Sequence, residues 1–225
     1  MLATNINYLL QKDPQLSSIL GLALNVTTQQ LSNFTTQNIT GAQLLVLATQ
    51  LNTSIQNLLT VNLALRHTVF NTIKLLVLDV DGVMTNGGMY YSENGDEFKR
   101  FNTKDGYAIR ALTKNGFEVG IISNGKNSNL ITERAKLLGI NKVYVGSGEK
   151  LEILNQWCTQ LTITPSQVAY IGDDLNDYNI IQAVGFSACP ADACLPIKNL
   201  ANITLTTRGG YGCVREFYDT YLTNN

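Results

Sequence analysis

Four aliphatic residues, Leu75–Leu78, run without interruption into Asp79-Val80-Asp81-Gly82. A short run of this kind, apolar throughout and closed by polar groups, fits a strand buried on both faces of a parallel sheet. Its carboxyl end is the edge at which open α/β sheets bind ligands. Two carboxylates at that edge are either caps of a tight Asp-Gly turn or the start of a reactive site. The pair alone does not choose between them.

From Asn71 onward the same kind of run recurs in alternation with helical patterns. Strands are expected at 74–79, 117–122, 142–145 and 168–171, with further ones at 185–188 and 202–205. Helices are expected near 104–115, 127–138, 149–161, 174–183 and 211–222. That order predicts an α/β fold, a Rossmann-like parallel sheet with helices on both faces. Met89-Tyr90-Tyr91 and Glu97–Phe101 flank Asn94-Gly95, so a β-hairpin should project from the ligand-binding edge.

Residues 1–70 read differently. Their only formal charges are Lys12, Asp13 and Arg66. Leu16, Ile19, Leu20, Ala23 and Leu24 recur at helical spacing after Asp13-Pro14, which suits a capped helix start. Thr40 can cap a second helix carrying Leu44, Leu45, Leu47, Ala48 and Leu51, and Ile55, Leu58, Leu59, Leu63 and Leu65 continue that pattern. The chain therefore divides into an all-helical segment, 1–70, and an α/β domain, 71–225. Nothing in the helical segment carries chemistry, and it reads as a structural appendage.

Composition removes several function classes. A net charge of −1 with no basic run excludes a general nucleic-acid surface. The four cysteines form no CxxC pair and no zinc spacing, so reduced thiols in a cytoplasmic protein are expected. MLATNINYLLQKDPQ lacks the basic lead-in and apolar run of a signal peptide, and GAQLLVLATQL is too short to span a bilayer.

The other strand ends decide between cap and site. Ser123 closes the run Val119–Ile122 and precedes Asn124-Gly125-Lys126, a placement suited to phosphate oxygens at a helix start. Lys150 opens a helix, where it opposes the macrodipole unless an anion offsets it. Gly172-Asp173-Asp174-Leu175-Asn176-Asp177 crowds three carboxylates. Like charges at close range raise one another's pKa, and a hard cation relieves them; Mg²⁺ suits carboxylates plus phosphate and water. Turn capping would have to place Asp79 with Asp81, Ser123, Lys150 and Asp173 at successive strand ends by coincidence.

The ordered set DVDGV, Ser123, Lys150 and GDDLND resembles the haloacid-dehalogenase phosphatase superfamily over about residues 74–222. DVDGVMTNGGMYY, FKRFNTKDGYAIR, VAYIGDDLND and RGGYGCVREF are similar to its cap-less branch of 3-deoxy-D-manno-octulosonate 8-phosphate phosphatases. The resemblance implies that Asp79 attacks phosphorus and Asp81 is the general acid and base. It implies Mg²⁺ held by Asp79, the Asp81 carbonyl and Asp173, with Asp174 and Asp177 orienting groups behind them. Ser123 and Lys150 would hold the equatorial phosphoryl oxygens, with an amide from Asn124 or Gly125. No gap between these motifs has room for a cap domain, and the branch closes its site by assembling into a homotetramer. Arg100, Lys104, Arg208 and Arg215 would then meet the carboxylate of a sugar-acid phosphate, while Lys99 reads as a solvated surface charge. A nonulosonate 9-phosphate phosphatase, a silent oligomerisation module beside a sugar-nucleotide transferase and a protein phosphatase are the alternatives.

Overall fold

The computed structural model describes residues 1–34, 37–51, 53–94, 97–125 and 128–223. The chain separates into two compact units, residues 72–219 and residues 1–71 with 220–225.

The smaller unit consists of α1 (Leu2–Lys12), α2 (Gln15–Leu24), α3 (Thr28–Ser32), α4 (Gly41–Gln50), α5 (Ile55–Thr60) and α6 (Leu63–Thr72). Ile6, Leu20, Leu31, Leu47 and Leu58 form its fully buried centre. Side-chain oxygens divide the helices. The Asp13 carboxylate accepts from the Gln15 N–H at 3.0 Å, and Thr27 and Thr40 form capping boxes with Gln30 and Gln43. The pattern expected to continue from α4 through Leu65 instead breaks into three helices. Ser54 accepts the Asn57 N–H at 3.0 Å and starts α5, and the side chain of buried Asn5 holds the turn into α6. Asn5 donates to the Leu58 and Val61 carbonyls at 3.0 and 2.7 Å and accepts from the Leu63 N–H at 3.0 Å. No helix among the described residues is long and apolar enough to cross a membrane.

The larger unit runs β1 (Leu75–Leu78), β2 (Tyr90–Tyr91), β3 (Glu97–Phe98), α7 (Thr103–Lys114), β4 (Glu118–Ser123), α8 (Ser128–Leu138) and β5 (Lys142–Val145). It continues with α9 (Lys150–Leu161), β6 (Val168–Ile171), α10 (Tyr178–Ala183), β7 (Phe186–Cys189), α11 (Leu195–Leu200), β8 (Ile203–Thr204) and α12 (Cys213–Tyr221). The sheet is parallel, in the order β5-β4-β1-β6-β7-β8. All four residues of β1 are buried, as a central strand covered on both faces requires. Leu78 pairs with Ile121 on one side and Ile171 on the other, so Asp79 leaves the sheet between β4 and β6. This is the switch point, where the chain, having grown outward to β5, returns to the far side of β1.

Two local differences from the sequence pattern have simple causes. The expected helix 174–183 begins as a 3₁₀ turn, Leu175–Asp177, because the Asp177 carboxylate points inward and binds the preceding backbone. Helix α11 starts at Leu195-Pro196, a favourable first-turn position for proline that the apolar pattern did not reveal. The hairpin forms, with Tyr90 opposite Phe98, although Gly95 of its expected turn lies outside the described residues.

Candidate active site

Asp79 is buried, and its N–H donates to the Ile171 carbonyl at 3.0 Å, which ties the end of β1 to the end of β6. The chain then turns through Val80–Met84, with Gly82 at φ +85°. A side chain there would also collide with the Asp173 carboxylate. Gly82 is therefore required twice, for its left-handed backbone and for the approach of Asp173. Asp81 points into the same cavity, where Thr85 donates to its Oδ1 at 3.3 Å.

The cavity has a volume of about 500 Å³ and is lined by Asp79, Asp81, Ser123, Asn124, Gly125 and Asp173, among others. Ser123 ends β4, and its Oγ accepts the Gly125 N–H at 3.2 Å, which shapes the loop that Asn124 and Gly125 form. Asp174 also lines the cavity, and its Oδ1 caps Leu175 at 2.8 Å.

Lys150, the first residue of α9, is buried beneath these groups. Its Nζ lies 3.0 Å from Asp79 Oδ1 and 2.6 Å from Asp177 Oδ1. Burial alone would lower its pKa, but Asp79 and Asp177 outweigh burial and hold it above the usual lysine value. Asp177 is fully enclosed. Its Oδ1 accepts from Lys150 and, at 2.6 Å, from the Tyr170 hydroxyl, while Oδ2 accepts the Asp173 N–H at 2.8 Å. It fixes both the ammonium and the backbone that carries Asp173.

The acids are crowded. Single oxygens of Asp79, Asp173 and Asp177 lie within 4.8 Å of one another. Burial, followed by the Asp177 charge, raises Asp79 to about 7 against the pull of Lys150. Burial, then Asp79, Asp177 and Asp174, raises Asp173 to about 8. Both Asp177 oxygens are taken by protein donors, which leaves Asp79 and Asp173 as the members of this cluster that face the cavity. That donor set fits Mg²⁺, which uses few carboxylates and keeps places for water and phosphate.

Lys99 corrects the sequence reading. It is almost fully buried, with Nζ 2.6 Å from Asp81 Oδ1 and 2.8 Å from Glu97 Oε1, and is not a solvated surface charge. Burial disfavours its charge, but the hydrogen bonds it donates to Asp81 and Glu97 hold its pKa above the usual value. The remaining basic candidates lie outside the cavity of their own chain. Arg100 stacks 5.0 Å from the Tyr211 ring and Lys104 is exposed on the first turn of α7. Arg208 is 3.4 Å from Asp192, and Arg215 binds Asp219 at 2.7 Å and stacks on Tyr107. RGGYGC instead supports the turn through Val80–Met84. The Gly210 N–H donates to the Val83 carbonyl at 2.9 Å, and a side chain at Gly209 would collide with the Gly82 carbonyl.

A family model for haloacid dehalogenase-like hydrolases matches residues 105–185. The chain is 42% identical over 150 residues to the 3-deoxy-D-manno-octulosonate 8-phosphate phosphatase of Yersinia pestis, across 67% of this chain and 80% of that protein. It is 41% identical over 150 residues to the protein of the same name from Escherichia coli K12, across 67% of this chain and 79% of that one. The crystal structure of the Yersinia pestis phosphatase superposes with a TM-score of 0.67 at 40% identity, covering 69% of this chain and 83% of that one. The Moraxella catarrhalis phosphatase, solved with a magnesium ion, a phosphate ion and 3-deoxy-D-manno-octulosonate (KDO), superposes with a TM-score of 0.66 at 33% identity, covering 69% and 88%.

Proposed function

The chain belongs to the haloacid dehalogenase-like hydrolases and is a phosphoric monoester hydrolase, and from that premise we propose that it hydrolyses 3-deoxy-D-manno-octulosonate 8-phosphate through an aspartyl-phosphate on Asp79. Mg²⁺ is its cofactor. The observation that carries the reading is Asp79 itself, set at the end of the central strand against Lys150 and open to a cavity that Asp81, Ser123 and Asp173 also line. Relatives that share two thirds of the chain at 41–42% identity favour the octulosonate substrate over a nonulosonate.

Asp79 attacks phosphorus, the bond to the sugar oxygen breaks, and Asp81 delivers a proton to the departing alkoxide. Asp81 then takes a proton from water as that water attacks the aspartyl-phosphate, which releases phosphate and restores the Asp79 carboxylate. Lys150 and Ser123 hold phosphoryl oxygens, where negative charge resides in the transition state. Bound Mg²⁺, held by Asp79, the Asp81 carbonyl and Asp173, offsets repulsion between carboxylate and phosphate. Asp177 acts at one remove, keeping Lys150 and the Asp173 backbone in place, and Asp174 stands at the cavity mouth. The proposal includes a homotetramer in the cytoplasm, with Arg100, Lys104, Arg208 and Arg215 offered to the sugar acid of another subunit.

Phosphate release across sugar-acid phosphates with Mg²⁺ tests the substrate, and 3-deoxy-D-manno-octulosonate 8-phosphate should have the highest kcat/KM. Asp79→Asn is isosteric and should abolish turnover with an unchanged circular dichroism spectrum. Retention of about a tenth of the activity would remove Asp79 as nucleophile.

A further inference from the structure

Residues 1–71 hold two cationic side chains, Lys12 and Arg66, and the only histidine of the chain, His67. All three line one cavity of about 260 Å³ in the helical unit, formed by α1, α6, Leu51 and Thr53 with Thr223. Among the described residues none that lines it is acidic, and much of its wall is Leu9, Leu51, Leu63 and Phe70. Lys12 Nζ donates to His67 Nε2 and lies 5.5 Å from the centre of the Tyr8 ring. The Tyr8 hydroxyl is buried without a hydrogen-bond partner. The Arg66 guanidinium donates to the Thr223 carbonyl at 2.8 Å, and burial lowers its pKa.

A unit otherwise almost free of charge thus gathers its cations at one apolar hollow. A buried hydroxyl with no partner costs about 1–3 kcal/mol, and a carboxylate among cationic side chains makes charge-assisted hydrogen bonds that an alcohol or an amide does not. The volume lies below the roughly 300–1,000 Å³ typical of drug-sized ligands. A sugar or a nucleotide would set hydroxyls against leucine side chains and leave them unsatisfied.

We propose that this cavity binds a small monocarboxylate with an apolar body, such as a short-chain fatty acid or an aromatic acid. The carboxylate meets Lys12, Arg66 and the Tyr8 hydroxyl, and the hydrocarbon lies on Leu9, Leu63 and Phe70. The site shares no residue with the phosphatase cavity.

Because His67 is the sole histidine, its ring signals in heteronuclear NMR report on the site directly. The full-length protein is titrated with sodium hexanoate and with sodium benzoate. A saturable shift of the His67 signals is expected with at least one acid and not with hexan-1-ol or with sodium chloride at matched ionic strength. Lys12→Gln and Arg66→Met should each weaken binding about tenfold, the loss of one charge-assisted hydrogen bond. Tyr8→Phe, which removes only a hydroxyl, should weaken it about threefold. Sugar-phosphate turnover should be unchanged in Lys12→Gln, which removes an exposed helix-end charge and keeps the test valid if Arg66→Met does not fold. Shifts that follow ionic strength, or equal affinity in wild type and Lys12→Gln, would overturn the proposal.

Discussion

Asp81 sits between two unlike neighbours, the Thr85 hydroxyl at 3.3 Å and the Lys99 ammonium at 2.6 Å. In the proposed mechanism Asp81 serves a leaving alkoxide and then a water, a role that needs a fixed position more than a fixed charge. Asp81→Asn should lower sugar-phosphate turnover by about two to four orders of magnitude, the usual worth of a positioned proton carrier. The loss should be smaller for an aryl phosphate, whose leaving group needs less protonation, and equal losses would count against the role. Lys99→Met should cost roughly ten- to a hundredfold in kcat, the effect of a displaced catalytic group. That loss too should shrink with an aryl phosphate, whereas a rise confined to KM would make Lys99 a binding group. Asp79, Ser123 and Asp173 were legible because each stands where an apolar run stops, and Lys150 because a cation opens its helix. Lys99 was not. Its burial depends on the hairpin folding back over the cavity, and a cation in an exposed-looking ribbon carries no mark of that in one dimension.

At the level of elements, strands buried on both faces were the clearest signal, since β1, β4, β6 and β7 are apolar runs with few polar interruptions. The short helices of the N-terminal unit were not, because their ends are set by single side chains such as Ser54 and Asn5 rather than by any change in hydrophobicity. One long-range fastening was equally hidden. Asp105 on α7 is buried and accepts the Arg215 N–H at 2.8 Å, holding the first turn of α12, while its Oδ2 has no partner. Burial raises its pKa from an ordinary 3.8 to about 6, against the N–H groups of Arg215, Gly212 and Val214 and the charge of Arg134. A carboxyl raised on folding favours the fold most when protonated, below its unfolded value, and that contribution fades as pH rises through 6. Asp105→Asn keeps the acceptor without the charge. It should therefore be more stable than wild type at pH 7.5, by at most about 3 kcal/mol, and equal to it near pH 4. Thermal melts at the two pH values check this, and an Asn variant less stable at pH 7.5 would show that the charge itself fastens α12.

For the molecule as a whole, the hairpin poses the problem that assembly would solve. Met89, Tyr90, Tyr91 and Phe98 are each about half exposed or more, a cluster of apolar surface that a lone subunit rarely leaves in water. Phe101, just past the ribbon, is not among them and lies under the Arg134 guanidinium at 5.2 Å. Arg100, Lys104, Arg208 and Arg215 stand outside the cavity of their own chain, so a sugar-acid carboxylate in that cavity would meet them only from a neighbour. Deleting the tail cannot test this cleanly, because Gly210 and Cys213 hold the Val83 carbonyl and the catalytic turn would loosen with them. A hairpin variant is cleaner. Tyr90 pairs with Phe98 on the ribbon, and Tyr90→Asp with Phe98→Asp places two like charges face to face at the expected contact. The double variant should fall from the proposed tetramer to smaller species in light scattering. Its kcat/KM should drop at least about tenfold for the sugar phosphate and stay within about twofold for an aryl phosphate, since only the former draws binding energy from the neighbour. A wild-type monomer with full sugar-phosphate activity would refute the shared site.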